Sequence, residues 1–402
     1  CDSVLRFRIA IPYCDSVLRF ILQYKFYLYF KMKIGIITHD LSLFSNGLGQ
    51  NAYFIYRVYE KLGHTCVLLS HNPNHKEIGY NNITVSHISD DESIFNVREY
   101  NLIITVAAGI TQTVYDRCKT HNVYVVGFVC GNLLAMDLQG FTEDGKKCSV
   151  IGKERPVDEL WIIGEYDFMK TYLELLRGTK AYLVPHLWSP VLIQDIATRR
   201  YNETIEQLLY NSRIHINSKI NILIFEPNLL YTKTALIPLM AAEKLYLTNK
   251  DLINEVFVFN FRTESSACNA IVNNLTIKDK VRRFKSLNIA EILLHFNKKD
   301  TIPIIVSHQI FNPWNYLYYE LLYYGFPLVH NSPSFPDLGY SYKEFDIDEC
   351  AKQIEYAAKY HNRLMPAQLE KNREFLKTID PEGEESLRIW KNLLPISSTK
   401  SS

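Results

Sequence analysis

The chain has no C-x-x-C pair among its eight cysteines, and no H-E-x-x-H, P-loop or G-x-S-x-G signature. The first absence argues against a structural zinc site. The others argue against zinc-protease, P-loop and α/β-hydrolase chemistry. Excess charge of either sign is missing too: Lys and Arg total 44, Asp and Glu 43, for a net charge of +1. Nothing in that balance calls for a nucleic-acid or anionic-membrane partner, although a local basic pocket for a diphosphate is compatible with it. No segment is a clean apolar run of the roughly 20 residues that a membrane-spanning helix needs. The cysteines, at 1, 14, 66, 118, 130, 148, 268 and 350, lack the density of a disulfide scaffold. They are expected to be reduced, mostly buried thiols of a cytoplasmic protein.

What is present reads as a globular chain. Of 402 residues, 47% are hydrophobic and 22% charged, which suits two domains as the simplest count. The first 31 residues stand apart. The heptad Cys-Asp-Ser-Val-Leu-Arg-Phe occurs at 1–7 and again at 14–20, and the apolar run from Val17 to Phe30 is broken by Arg19, Gln23 and Lys25. No small-residue cleavage site follows it. Residues 1–31 are therefore expected to lie upstream of a natural start at Met32.

From Met32 onward, strands and helices alternate. Lys33–Thr38 is a β-branched run of the kind buried on both faces of a parallel sheet. A Gly-rich turn, Asn46-Gly47-Leu48-Gly49, precedes a helix over Asn51–Leu62 that Gly63 closes. Strands are expected at Cys66–Ser70, Asn82–Ser86, Leu102–Val106, Val123–Val129, Glu159–Ile163 and Ala181–Pro185, with helices at Gln112–Thr120 and Tyr166–Leu176. A polar, aperiodic stretch from about Ile196 to Ser218 reads as a link. A second cycle opens with strand Ile220–Phe225 and helix Leu236–Leu247. Strands at Glu255–Phe259, Lys280–Phe284, Ile302–Val306 and Pro327–His330 follow, with helices at Asn288–Asn297, Asn315–Tyr324, Pro366–Leu376 and Glu384–Leu394. The expected organisation is an N-terminal Rossmann-like domain over 32–190, a linker over 191–218 and a C-terminal Rossmann-like domain over 219–365. Helices over 366–402 would pack back on the first domain, ending in a disordered tail. Ligands of such sheets bind beyond the carboxyl ends of the strands.

Ser307–Pro333 is the most informative stretch. Asn315 is a candidate N-cap, and a helix N-terminus suits a phosphate. Glu320, about one and a half turns in, is a lone acid among tyrosines and leucines, and a carboxylate there suits the two hydroxyls of a ribose. Glu226, Asn228 and Lys233 follow the first strand of the second half, where Lys233 is either a diphosphate partner or an exposed loop lysine. Gly47, Gly49 and Gln50 form a cleft loop; Ala52 stands where a dinucleotide fingerprint needs its third glycine, and no acid closes the second strand, which argues against NAD. His39 and Asp40 end the first strand and are candidate bases for an acceptor hydroxyl. His186 meets the transferred sugar or phosphate, or anchors the hinge. His308 and His330 flank the donor segment.

Ser307–Ser332 resembles the donor-binding segment of retaining GT-B glycosyltransferases: a strand, Pro-Ser-x-x-Glu, seven residues, then Glu-Ala-x-Ala-x-Gly-x-Pro-Val. Glu320, Gly325 and Pro327 match the second Glu, the Gly and the Pro, while Asn312 stands in place of the first Glu. The chain is also similar to a poorly characterised family of GT-B-like proteins from bacteria and large DNA viruses. That likeness rests on Val184-Pro-His-Leu-Trp-Ser-Pro190, Ile222-Leu-Ile-Phe-Glu-Pro-Asn228, Lys233, Asn315-Tyr-Leu-Tyr318, His330-Asn-Ser-Pro333 and Gly339-Tyr340. It extends from about Met32 to Leu376. The resemblance implies an α/β GT-B fold of two domains facing across a cleft. It also implies sugar transfer from a nucleoside-diphosphate sugar to a glycan or glycoprotein hydroxyl, without metal or a separate cofactor. Glu320 would hold the ribose, and Asn312, Asn315, Lys233, Asn228, Glu226, His308, Asn331 and Ser332 would line the donor site. A sugar-nucleotide epimerase and an inactive sugar-nucleotide-binding scaffold are the alternatives.

Overall fold

A computed structural model describes residues 31–38, 47–73, 83–106, 108–142, 156–214 and 219–394. The first half runs β1 (Lys33–Ile37), α1 (Gly47–Lys61), β2 (Thr65–Ser70), β3 (Val85–His87), β4 (Leu102–Val106), α2 (Gln112–Thr120), β5 (Tyr124–Val129), α3 (Leu133–Thr142), β6 (Glu159–Ile163), α4 (Lys170–Arg177) and β7 (Ala181–Val184). Among the described residues its strands form one parallel sheet in the order β3-β2-β1-β4-β5-β6-β7. Ile34, Ile36 and Ile37 are fully buried because helices cover both faces, as apolar residues of both parities along the strand require.

After α5 (Val191–Tyr201) the second half follows: β8 (Ile220–Ile224), α6 (Leu236–Thr248), β9 (Ile253–Val258), α7 (Ser266–Asn273), β10 (Val281–Arg283), α8 (Ile289–Phe296), β11 (Ile302–Val306), α9 (Tyr316–Tyr324), β12 (Leu328–His330) and β13 (Tyr340–Ser341). This parallel sheet is ordered β10-β9-β8-β11-β12-β13. In each sheet the order reverses once, beside β1 in the first and between β8 and β11 in the second. Crevices for ligands open at such points.

α10 (Ile347–Lys377) is one 31-residue helix with Pro366 inside it, followed by α11 (Glu384–Asn392). Cys350 and Ile354 pack in the second half's core, while Leu376 and Ile379 join the core that continues into the first. The Trp188 amide donates to the Ile379 carbonyl at 2.9 Å. Trp390 of α11 is fully buried against Tyr59, Phe128 and Trp161, with ring centroids 5.8–6.2 Å apart.

Several expectations change. The glycines at 47 and 49 form the first turn of α1 instead of a loop ahead of it. The expected linker is helical over Val191–Tyr201, buries Leu192, Ile193, Ile196 and Ala197, and ends on Asn202 at φ +51°. Its Tyr210 amide is tied to the Tyr324 carbonyl at 2.8 Å. The C-terminal helical region starts at Ile347, not Pro366; proline favours a first helical turn, so an interior one reads as a start. The Tyr166–Leu176 helix is split into a 3₁₀ segment, Gly164–Met169, and α4. Helices α3 and α7 were not anticipated. The expected upstream segment and the tail lie almost wholly outside the described residues.

Candidate functional site

Polar side chains gather at the carboxyl ends of β8 and β11, two fully buried strands at the switch point of the second sheet. Glu226, two residues beyond β8, is 2% exposed. The Ser307 hydroxyl donates to its Oε1, and the His308 amide donates to the same oxygen at 3.2 Å. Among the described residues Oε2 has no partner. Burial, only partly offset by these donors and by the charge of Lys233, pushes the carboxyl up to about 7. Burial lowers Lys233, and the Glu226 charge raises it in return. Lys233 and Gln309 pair as an antiparallel bridge, and the Ile310 amide donates to the Thr232 carbonyl at 2.8 Å. The loop after β8 is thereby fastened to the loop after β11.

His308 is 1% exposed and lies against Tyr342 and Phe345. Its Nδ1 meets the Tyr342 hydroxyl at 3.0 Å, its Nε2 has no partner among the described residues, and burial lowers the imidazole to about 4. Gln309 is buried with an unpartnered Nε2. Buried polar atoms are nearly always bonded, so a cluster of exceptions marks a place for water or ligand.

Asn315 caps α9: its Oδ1 accepts from the Leu317 amide at 3.2 Å. Gly325 closes the helix at φ +75°. Glu320 is 5% exposed and faces the first half, where the side chain of Gln50 hydrogen-bonds it; burial pushes its carboxyl up to about 8. The N-termini of α1 and α9 meet here, since a Cβ on Gly47 would lie 2.8 Å from the Tyr316 ring. The Tyr316 hydroxyl donates to the Leu187 carbonyl at 3.2 Å.

His186 is wedged between Trp314, Tyr316 and Tyr319, at centroid distances of 5.0–5.3 Å. Burial lowers it to about 3, so it is neutral, and among the described residues neither ring nitrogen has a partner. Trp314 Nε1, Tyr319 Oη and Glu165 Oε2 are likewise unpartnered. From the first half, Tyr166 donates to Asn312 Oδ1 at 2.7 Å, and Asn132 Nδ2 donates to the Phe311 carbonyl at 2.6 Å.

Glu226, Lys233 and His308 therefore lie together at the carboxyl ends of β8 and β11, with Asn315, Glu320, Gly47 and Gln50 along the seam between the halves. Gly49 is buried in α1. Other expected site residues have their side chains occupied within the protein. Asn228, at φ +53°, accepts from the Ala235 amide at 2.8 Å and donates to the Glu226 carbonyl at 2.8 Å. Asn312 also donates to Gln309 Oε1 at 2.6 Å. Asn331 clasps the Gln309 backbone through two bonds of 2.9 Å. Ser332 donates to the Pro313 carbonyl at 2.7 Å. His330 bridges the Leu338 carbonyl and the Ser332 amide. His39 and Asp40 lie outside the described residues. Sequence reasoning missed Glu165, Tyr166, Ser307, Gln309 and Trp314 as individuals. Ser307, Gln309 and Trp314 lie within the stretch singled out above, but only the tertiary structure shows which atoms go unbonded. Among the described residues, no group of three or more His, Cys, Asp or Glu is placed to hold a metal ion. Nor is any helix long and apolar enough to cross a membrane.

Solved structures share this architecture at low identity. A glycosyltransferase from Rickettsia africae is 14% identical with a TM-score of 0.58, covering 93% of this chain and 100% of its own. Anabaena HepE, solved with UDP-glucose, is 10% identical with a TM-score of 0.56, covering 90% and 99%. An α-glucosyltransferase solved with UDP and a DNA 13-mer is 14% identical with a TM-score of 0.57, covering 90% and 98%. The fold is that of the GT-B glycosyltransferases: two parallel sheets with alternating helices. No curated protein matches the chain. A family model described as "Protein of unknown function (DUF2827)" matches residues 32–394, so the chain belongs to that family.

Proposed function

We propose that this protein transfers a sugar from a nucleoside-diphosphate sugar to a hydroxyl of a glycan or glycoprotein, with the donor seated between β8 and β11. The observation that carries this reading is the set of unpartnered buried atoms on Glu226, His308 and Gln309 at the switch point of the second sheet. Glu320 would hold the ribose in place of its present partner, Gln50. Lys233 and the N-terminus of α9 would face the diphosphate, where negative charge grows as the bond from the sugar C1 to the phosphate oxygen breaks. The acceptor oxygen forms the new bond to C1 and gives its proton to a base, for which Asp40 and His39 are the candidates. No step of this reading uses a metal or a separate cofactor. A net charge of +1 supports a glycan over nucleic acid as acceptor, and the reading places the protein in the cytoplasm.

The test is a thermal-shift screen of the full chain against UDP, GDP, CDP, TDP and their sugar conjugates, repeated with Glu320→Ala. A ligand that binds only the folded state raises the melting temperature. One nucleotide series is expected to stabilise the wild type and not the variant. Absence of any shift would remove the donor site. Binding followed by release of an altered sugar nucleotide without acceptor would indicate an epimerase, and binding without turnover an inactive scaffold.

A further inference from the structure

Each free polar group between β8 and β11 needs a particular kind of ligand atom, set by where the neighbouring hydrogens go. The Tyr342 hydroxyl meets the Ser307 carbonyl at 3.1 Å and the Cys350 thiol; the carbonyl can only accept, so the hydroxyl's one hydrogen goes to it. Toward His308 Nδ1, 3.0 Å away, the hydroxyl can only accept, so Nδ1 carries the imidazole hydrogen. The ring is neutral at physiological pH, which leaves a lone pair on the buried, unpartnered Nε2. The same holds for the neighbouring carboxyl. The Ser307 hydroxyl gives its hydrogen to Glu226 Oε1, and Tyr318 donates in turn to Ser307 Oγ at 2.8 Å. The His308 amide fills Oε1 from a second side. Oε2, on the same carboxyl, has no partner among the described residues.

A lone-pair nitrogen on His308 and a carboxyl oxygen on Glu226, two residues joined through the His308 amide, call for a ligand rich in hydroxyl groups. Phosphoryl oxygens of a nucleoside diphosphate carry no hydrogen for His308 Nε2, and an ionised Glu226 repels them. A sugar hydroxyl both donates and accepts, so it satisfies either group, whether Glu226 is charged or protonated. The complementary pair comes one from each loop, Gln309 beside His308 and Lys233 on the loop that carries Glu226. Gln309 Nε2 is an unpartnered donor, and Lys233 a cation, bridged to each other's backbone. We infer that Glu226 and His308 read hydroxyl groups of the transferred sugar ring, while Gln309 and Lys233 face its diphosphate. Asn312 cannot serve as that hydroxyl reader, because Tyr166 and Gln309 already occupy its amide.

This inference rests on the donor-site reading above. Titration calorimetry with the full chain separates the two. UDP, GDP, CDP and TDP are measured beside their glucose, galactose and mannose conjugates. In the wild type the preferred sugar nucleotide is expected to bind at least tenfold tighter than its bare nucleotide. His308→Phe, which keeps a ring against Tyr342 and Phe345, is expected to bring that ratio to within about threefold of unity while bare-nucleotide affinity changes less than threefold. Glu226→Ala is expected to do the same. If its ligand-free melting shows that it does not fold, Glu226→Gln is measured instead, with at least a fivefold loss of the ratio expected. Lys233→Met should weaken nucleotide and sugar nucleotide alike. An unchanged ratio in the His308 and Glu226 variants would overturn the inference and leave the donor site standing. So would an equal loss for bare nucleotide and conjugate. No binding of any nucleotide by the wild type would overturn the donor site, and the inference with it.

Discussion

Glu320→Gln should make the protein more stable, by an amount that grows with pH. The Glu320 carboxyl is 5% exposed, and burial raises it from an ordinary 4.5 to about 8 in the fold. Between those two values the folded state holds a proton that the unfolded chain has released, so wild-type stability falls as pH rises. Each pH unit is worth about 1.4 kcal/mol, and the whole interval about 4–5 kcal/mol, as an upper figure. Below the lower value the contribution is fully present; above the higher one it is gone. Gln is neutral throughout and keeps a polar atom for Gln50. Other groups shape the raw profile: Glu226 acts in the same direction, while His186, His308 and His330, buried neutral, cost stability as the pH drops below their ordinary 6.5. Only the difference between variant and wild type isolates Glu320. Urea unfolding at pH 5, 6, 7 and 8 measures it. The two proteins should be close at pH 5 and separate by roughly 1 kcal/mol per pH unit, with the variant ahead by several kcal/mol at pH 8. Parallel profiles would refute the reasoning, showing that water reaches the carboxyl.

Two further outcomes test the packing. Trp390→Ala should cost about 3–5 kcal/mol, because it empties a fully enclosed site against Tyr59, Phe128 and Trp161; chemical denaturation gives the number. A loss under about 1 kcal/mol would mean that α11 is not a brace. Gly47→Ala places a methyl 2.8 Å from a Tyr316 ring that Leu187 and His186 hold in place, so it should destabilise by about 1–3 kcal/mol despite alanine's better helix propensity. A stabilised variant would show that the two helix N-termini separate at no cost.

The alternating strands and helices of both halves were legible in the sequence, because parallel strands covered on two faces need mostly apolar runs rich in β-branched residues, such as Lys33–Ile37 and Ile302–Val306. The sequence also marked α9, since Asn315 and Gly325 are local signals that act through their own backbone. The long helix over Ile347–Lys377 was only half legible: its two ends pack on different cores, so one apolar stripe does not run through it, and Pro366 reads as a beginning. The helix over Val191–Tyr201 was hidden because Leu192, Ile193, Ile196 and Ala197 pack among residues distant in sequence. The candidate site divides the same way. Glu320, Glu226 and Lys233 stand out as charges near strand ends or in an apolar helix. Which polar atoms are spent and which are free depends on partners far along the chain. Asn312 loses its freedom to Tyr166, 146 residues away, and Glu226 is half-filled by Ser307, 81 residues away. Hydrogen-bond capacity is allotted only when these segments meet, so tertiary structure alone decided which side chains are left to receive a ligand.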